Sequence, residues 1–385
     1  MAQADGTLKF DTALDSTKFK SGLSKISSLA TKAVAGVAAG LGALGAAAVK
    51  VGADFEAGMS EVEAISGATG SELDALAAKA KEMGAATKFS ATESAEALKY
   101  MAMAGWDTQS MLDGLPGIMN LAAASGENLA TVSDIVTDDL TAFGLSAKDA
   151  GHFADVLAKA SSSSNTNVSL MGATFKYAAP LAGTLGYSIE DVAIATGLMA
   201  NASIKGEQAG TSLRAMFTRL ASPPKDAAEA LNALGISMTD ANGQVKPLRT
   251  SLKELRAAFS GLSQQEQAQM ASSIAGQEAM SGFLAIINAS DEDFDKLASS
   301  IDNATGAAEH QAEVMNDNLK GQIKIMQSAL EGLGIEFYES VQNPLKDVVK
   351  NCTGYIDDLA NAFRTGGIDG LVTEMGNVFA DAATR

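Results

Sequence analysis

The sequence predicts an all-α protein: a multi-helix compact central domain with a minor β-hairpin, flanked by long helical segments. Apolar residues make up 46% of the 385 residues but aromatic residues only 5%, so the apolar fraction is dominated by small and aliphatic side chains. Such a composition favours helices that pack closely through small side chains. Only 6 prolines interrupt the chain, while 37 glycines provide many positions at which helices can end.

The first segment, residues 1–53, is predicted to be an N-terminal arm followed by an Ala/Gly-rich apolar helix. Residues 1–15 read as a short strand or extended arm, and Phe19, Leu23, Ile26 and Leu29 then share one helical face. No charged residue occurs in 33–49, a length at the lower edge of a membrane span. We interpret this run as a helix buried against other helices, and membrane contact by residues 33–51 is the alternative.

The second segment, residues 54–285, reads as a succession of short amphipathic helices with recurring junctions. Gly144, Gly186 and Gly235 each begin the pattern Gly-apolar-Ser-x-x-Asp. A glycine that ends one helix, a serine that caps the next and an acid near its first turn explain this spacing structurally. A further capping box is predicted at Ser90-Ala91-Thr92-Glu93.

Three local signals interrupt the helices of this segment. Asn242-Gly243 between short alternating runs predicts a small β-hairpin in place of a helix start after Gly235. The polar run 161–165 predicts a loop, and Pro223-Pro224 predicts a chain break.

The third segment, residues 286–385, is predicted to be helical and coiled-coil-like. Its apolar residues alternate four and three apart, which is the spacing of a heptad stripe. The stripe from Leu319 to Val341 is expected to be buried by a partner helix, either within the chain or from another copy. Pro344 is expected to interrupt the helix, and Cys352 falls on the stripe as a buried thiol. The stripe consists of Leu319, Ile323, Met326, Leu330, Leu333, Phe337 and Val341, and then of Leu345, Val348, Cys352, Ile356, Leu359 and Phe363.

The sequence contains no motif that predicts catalytic, cofactor-binding or metal-binding residues. The single Cys352 and the two separated histidines, His152 and His310, do not form a zinc or haem motif. No Walker-type phosphate loop and no metalloprotease or serine hydrolase motif occurs. The net charge of −18 argues against specific nucleic-acid binding, because it repels phosphate backbones.

Three acidic clusters and one tryptophan are candidates for binding sites, but a structural role explains each of them. Asp138-Asp139, 291–293 and Asp357-Asp358 could pair as carboxylates or bind a divalent cation, but neighbours on a helix diverge, which favours a solvated face. Trp106 is expected to be a core anchor between a helix and a loop.

The middle of the chain resembles phage tail tape measure proteins of the TP901 type, in their conserved N-terminal region. The resemblance covers about residues 54–285 and consists of many ordered segments, which makes it more specific than any short motif. The main segments are 55–62, 64–68, 83–84, 87–96, 104–106, 121–124, 142–145, 202–214, 219–220 and 274–279.

This resemblance implies a structural, non-enzymatic virion protein that acts as a tape measure in tail assembly and is released during genome ejection. The implied partners are the tail tube protein, tail assembly chaperones, other copies of the chain, tail tip or baseplate proteins and the host inner membrane. The implied locations are the lumen of the phage or prophage tail and, during assembly, the host cytoplasm. Family members usually run further than Arg385, which indicates a truncated or processed chain or a short prophage remnant.

Two rival functions follow from the residues alone. A membrane-active, pore-forming helical protein would use residues 33–51. A tail-associated hydrolase would require a site that the sequence does not offer.

Overall fold

The computed structural model describes residues 42–384, and this part of the chain is almost entirely helical. The predicted arm at 1–15 and the helical face of Phe19 to Leu29 lie outside the described residues, as do residues 33–41 of the apolar run. Two compact units are distinguished: residues 42–53 together with 333–384, and residues 54–332.

The helices follow one another with short connections. A single 3-10 turn, Ala147–Asp149, precedes α6. The helices are α1 Gly42–Ser66, α2 Ser71–Ala86, α3 Ala91–Met103, α4 Thr108–Ser125, α5 Leu129–Phe143, α6 Ala150–Ser163, α7 Val168–Thr184, α8 Ile189–Asn201, α9 Gly206–Ala221, α10 Lys225–Ala233, α11 Leu248–Phe259, α12 Gln264–Ala275, α13 Met280–Ile287, α14 Asp291–Asp302, α15 Ala307–Asn316 and α16 Leu319–Thr384.

In the unit of residues 54–332, the helices from α2 to α9 alternate between two layers. Helices α3, α5, α7 and α9 form one layer, and α2, α4, α6 and α8 form the other, so each helix packs against the next but one. Helices α14 and α15 then cover the second layer, where α14 packs on α8 and α15 packs on α4 and α6. This arrangement buries the apolar side chains between the layers, including Phe153, Phe175 and Phe217, which are fully buried.

Glycines let neighbouring helices of one layer approach closely. A Cβ at Gly210 in α9 would lie only 2.5 Å from the carbonyl oxygen of Thr174 in α7, and one at Gly183 in α7 would lie 2.6 Å from that of Ala142 in α5. Real Cβ atoms do not approach backbone oxygens so closely, so these positions accept glycine alone. The close packing expected from the small-residue composition is therefore built into the layer of α5, α7 and α9.

The predicted helix junctions are confirmed. Ser90 and Glu93 form a reciprocal capping box at the start of α3, and Ser188 accepts a hydrogen bond from the amide of Asp191 at the start of α8. Gly144 and Gly186 both adopt positive φ, 73° and 71°, which glycine tolerates best. The recurring pattern thus marks the ends of α5 and α7, the same end of two successive helices in one layer.

The local interruptions are only partly as predicted. The region of Asn242-Gly243 turns back on itself but forms one isolated antiparallel bridge, Thr239 with Val245, and no strand of a hairpin appears there. A side chain explains the tight turn, since the carboxylate of Asp240 accepts from the amides of Asn242 and Gln244 at 2.8 and 2.9 Å. Residues 161–163 extend α6 and do not form the predicted loop, whereas the break at Pro223-Pro224 is confirmed.

In the unit of residues 42–53 and 333–384, α1 and α16 run parallel. Ala48 lies beside Gly334, and Gly52 lies against Tyr338, so the contact advances in the same direction along both helices. A side chain at Gly52 would overlap that of Tyr338, and Ile335 between these contacts is fully buried.

The expected interruption of α16 at Pro344 is wrong. The helix continues through Pro344, which is exposed, and bends at Gly367, whose φ of 58° and ψ of −144° are not helical. Proline at an exposed position costs a hydrogen bond but does not force a long helix to end, and glycine adopts the positive φ without steric cost.

The expected burial of the stripe from Leu319 to Val341 by a helix of the same chain is wrong for its most exposed members, and the alternative, burial by another copy, stays a prediction. Leu319, Leu330 and Leu333 are 78%, 58% and 67% exposed. The buried face of the same helix carries smaller residues instead, such as Gly321 and Ser328. Small residues allow the helix backbone to approach its neighbours, which leaves the larger side chains pointing outward.

Candidate binding surfaces and internal clamps

The residues that sequence analysis considered for chemistry do not come together. Within residues 42–384, no group of three or more His, Cys, Asp or Glu is placed to hold a metal ion. His152 pairs with Glu190 at 2.6 Å beside a cavity of about 170 Å³. Ser188 lines that cavity too, but its hydroxyl is occupied as the cap of α8. Trp106 is half-buried, with its ring against Gly114 of α4, as expected for an anchor.

The interpretation of the acidic pairs as solvated faces is wrong for one residue. Asp138 is exposed, but Asp139 is only 3% exposed, and its Oδ2 has no hydrogen-bond partner among the described residues. Burial, aided by the charge of Asp138, raises the pKa of the Asp139 carboxyl well above its ordinary value. Divergence of neighbouring side chains on a helix places one carboxyl in water and the other in the core.

The other two clusters do face solvent. Asp291 is 95% exposed and pairs with Arg256 at 2.7 Å, and Asp293 bonds to the cap residue Ser290. Asp357 and Asp358 are both exposed on α16.

Arg249, at the start of α11, clamps three helices together. Its Nε donates to Oδ1 of Asp191 at 2.7 Å, and its backbone amide donates to Oδ2 of the same carboxylate at 3.0 Å. Its two terminal nitrogens donate to the two carboxylate oxygens of Asp302 at 2.7 and 2.8 Å, which is a bidentate fork. These bonds raise the pKa of Arg249 and join α8, α11 and α14.

Two further arginines satisfy carbonyl groups at helix ends. Arg219 donates to the carbonyl oxygens of Ser273 and Ile274 at 2.7 and 3.0 Å, at the end of α12. Arg256 donates to the carbonyl oxygens of Ile286 and Ala289 at 2.8 and 2.7 Å, after α13, and its guanidinium lies 4.9 Å from the ring centre of Phe294. Since the last carbonyls of a helix lack partners within it, each arginine anchors a helix end.

Sequence analysis missed this clamping role. The repeated junction pattern is the one signal in the sequence that points to this role. Asp191 belongs to its second copy: the amide of Asp191 donates to the cap residue Ser188 of α8, and its carboxylate accepts from Arg249. Arg219 and residues 274–279 both belong to segments that carry the family resemblance, and in the structure Arg219 contacts Ile274.

A groove of about 660 Å³ lies between α2, α4, α15 and the start of α16. Its lining mixes apolar residues such as Met83 and Ile325 with charged ones such as Glu309. Lys88 at its edge is half-buried, donates to the carbonyl oxygen of Ala123 at 3.4 Å, and has a pKa lowered chiefly by burial. The lining is neither uniformly acidic nor uniformly basic, and its groups do not form a cluster suited to catalysis.

Next to the groove, α15 and α16 expose a row of large apolar side chains. Exposed apolar residues of this size, when contiguous, are typical of a surface that binds another macromolecule. We call this row the apolar row; it consists of Val314, Met315, Leu319, Ile323, Met326 and Leu330, which are 41% to 78% exposed.

The layered helical fold and its clamps lie largely within a region with known relatives. Residues 77–276 match the model of a family described as phage-related minor tail proteins, and this match covers more than half of the chain. The chain belongs to this family. The matched region runs from within α2 to the end of α12 and includes Arg219, Asp191 and Arg249, whereas Asp302, the other partner of Arg249, lies outside it.

Individual relatives carry a more specific name. The chain is 39% identical over 285 residues to the "Tape measure protein" of Pneumococcus phage Dp-1 and 31% identical over 279 residues to the "Probable tape measure protein" of Escherichia phage P2. A third relative, the "Probable tape measure protein" of Clostridium phage phiCD119, is 22% identical over 307 residues.

These alignments cover different shares of the two chains. They include 74%, 72% and 78% of this chain, but the chain spans only 25%, 34% and 32% of these relatives. No solved structure matches it. Among its described helices, none combines the length and the apolar character that a membrane crossing requires.

Proposed function

We propose that the chain acts as a tape measure in a phage or prophage tail, where it takes part in tail assembly and length determination and is released during genome ejection. The 39% identity over 285 residues to a relative named tape measure protein carries this proposal. Within this proposal the chain is of the TP901 type, which the resemblance of its sequence segments supports. The role is structural and involves no catalytic step.

The charge and secondary structure of the chain support a place in the tail lumen. A net charge of −18 repels the phosphate backbone of DNA, so a genome can pass the chain without adhering to it. A long helix is also a length standard, since each residue adds about 1.5 Å. In this role the part of α16 that precedes the bend at Gly367 contributes to the measured length, while the layered helices of 54–332 form a compact body.

The proposed partners follow from the same role. They are the tail tube protein, tail assembly chaperones, tip or baseplate proteins and other copies of the chain, with the host inner membrane met during ejection through residues 33–51. Assembly takes place in the host cytoplasm. The proposed organisation is an arm and apolar helix at 1–53, the tape measure helical domain at 54–285 and a helical segment at 286–385.

The proposal is tested by changing the length of α16 in the phage that encodes the chain and measuring tails by electron microscopy. Duplication of residues 345–365 adds 21 helical residues and is expected to lengthen the tail by about 30 Å. The matched control inserts the same 21 residues into the exposed turn at Asn242-Gly243, where they extend a loop and leave the tail length unchanged. Tails that form normally and keep their length with the duplicated helix would contradict the proposal.

A further inference from the structure

We propose that α15, residues 307–316, is a releasable latch on a helix-binding site formed by α4 and α6. The latch leaves this site while the rest of the unit of residues 54–332 stays folded, and a short helix of a partner protein with the same features takes its place. This inference goes beyond the proposed function, because it does not depend on the role of the chain in the tail.

The cap of α15 is supplied by another helix. Gly306, the residue that precedes α15, provides no side-chain cap. Asp155 in α6 fills this role, since its two carboxylate oxygens accept from the amides of Gly306 and Ala308 at 2.7 and 2.9 Å. Gln311 adds a second link to α6, where its Nε2 donates to the hydroxyl of Ser162 at 3.0 Å. The first amides of a helix have no partner within it, so the carboxylate on α6 belongs to a site for a helix start.

Helix α15 buries little apolar surface. Its buried residues are Ala308 and Ala312, which are 2% and 7% exposed, whereas its large apolar residues Val314 and Met315 are 62% and 52% exposed. The stabilisation from burial grows with the apolar area removed from water, so two methyl groups hold the helix weakly. The carboxylate of Asp155 therefore accounts for much of the attachment of α15.

The neighbouring helix α14 is anchored much more firmly. Phe294, Leu297 and Ile301 are nearly completely buried, and Asp302 lies in the fork of Arg249. On its other side, α15 borders the groove of about 660 Å³, so one flank of the helix is open to solvent. Segments with few buried apolar contacts open at a lower free energy than the core does. We therefore expect α15 to open before α14 does.

The features of α15 define the helix that fits this site. Small residues stand at two positions four apart, Ala308 and Ala312, and face α4 and α6. The first turn has free amides that point to Asp155. A helix that begins with its own aspartate cap would bring a second carboxylate to the same amides and be rejected. The partner is thus a short helix with an alanine face and an uncapped start.

Hydrogen exchange of the complete chain, followed by mass spectrometry, tests the release. Residues 307–316 are expected to exchange at least about tenfold faster than α14. Asp155→Ala is expected to speed their exchange about tenfold further, as the loss of a helix cap does, and to leave α14 unchanged. The matched control Asp113→Ala removes an exposed carboxylate of α4 and is expected to leave residues 307–316 as in the wild type.

A labelled peptide of residues 303–318, followed by fluorescence anisotropy, tests the site. Ala308→Glu with Ala312→Glu in the complete chain places two charges under α15 and is expected to free the site for the peptide. The matched control, His310→Glu with Val314→Glu, adds the same charges four residues apart on the exposed face and is expected to bind the peptide at least about tenfold more weakly. Addition of Asp155→Ala to the opened variant is expected to weaken peptide binding about tenfold.

Three outcomes would overturn the inference: equal exchange rates in α14 and α15, an opened variant that does not bind the peptide, or peptide binding that is equal with and without Asp155. Unchanged exchange in α14 shows that the opened variant is folded. If that variant does not fold, the exchange of the wild type and of Asp155→Ala decides alone. Tail length judges the proposed function separately, so either idea can fail without the other.

Discussion

Replacement of Arg249 by methionine is expected to destabilise the unit of residues 54–332 by about 3 kcal/mol. The substitution keeps an aliphatic side chain but removes the guanidinium that holds Asp191 and Asp302. The side chain of Asp191 is 10% exposed, so most of the loss comes from a carboxylate left without its partner. Breaking a buried ion pair costs about 3 to 5 kcal/mol, and the partial exposure of Arg249 itself, 25%, places the value at the low end.

The two arms of the clamp are expected to contribute unequally. Asp302 is 45% exposed, and an ion pair open to water contributes about 0 to 1 kcal/mol, so Asp302→Asn is expected to cost at most about 1 kcal/mol. The double variant Arg249→Met with Asp191→Asn should regain at least half of the loss, because it removes the buried charge together with its partner.

Urea titration followed by circular dichroism measures these free energies of unfolding. Arg214→Met is the matched control, because Arg214 is exposed and its guanidinium lies 6.0 Å from the ring centre of Tyr177 without an ion pair among the described contacts. This control is expected to stay within about 0.5 kcal/mol of the wild type. If Arg249→Met is no less stable than Arg214→Met, the clamp does not hold the helices together and the reasoning fails.

Two further variants, with one control, probe the packing of the same unit. Burial raises the folded-state pKa of Asp139, so the folded chain retains a proton that the unfolded chain releases, and stability falls as the pH rises from about 4 through the raised pKa. Asp139→Asn should therefore gain about 1 to 2 kcal/mol at neutral pH and flatten this slope in urea titrations at several pH values; an unchanged slope would assign the pH dependence to other groups. Gly210→Val should lose about 2 to 3 kcal/mol or fail to fold, because its side chain meets the backbone of Thr174. Gly151→Ala, at a helical position with open space, should gain up to about 1 kcal/mol in the same urea titrations, and similar losses in both glycine variants would contradict the packing argument.

The sequence predicted those features that depend on neighbouring residues. Capping boxes, glycine helix ends and the break at Pro223-Pro224 all follow from interactions within a few residues, and the structure places them as expected. The all-α class followed in the same way, from a composition and a periodicity that suit helices. The turn at Asn242-Gly243 shows the limit of this reasoning, because a turn signal does not decide how far the flanking residues pair.

The features that could not be predicted depend on which face of a helix is covered by another helix. Helix α16 carries one face of large side chains and one face of small ones, and periodicity alone favours burial of the large ones. In residues 319–330 the structure buries the small face, because Gly321 and Ser328 permit closer approach of neighbouring helices. Asp139 illustrates the same limit, since two adjacent carboxyls differ only in which of them faces the core. Arg219 and Arg249 join residues more than 50 positions apart, a distance over which no local pattern carries information.

The parallel course of α1 and α16 has a mechanical consequence. A pull that separates the beginning of α1 from the far end of α16 would slide the two helices along each other, and the interlocked side chain of Tyr338 over Gly52 would resist that sliding. Contacts loaded in shear yield together, whereas contacts peeled from one end yield singly. A single-molecule stretching experiment should therefore show a higher rupture force for this pair than for the same helices unzipped from one side.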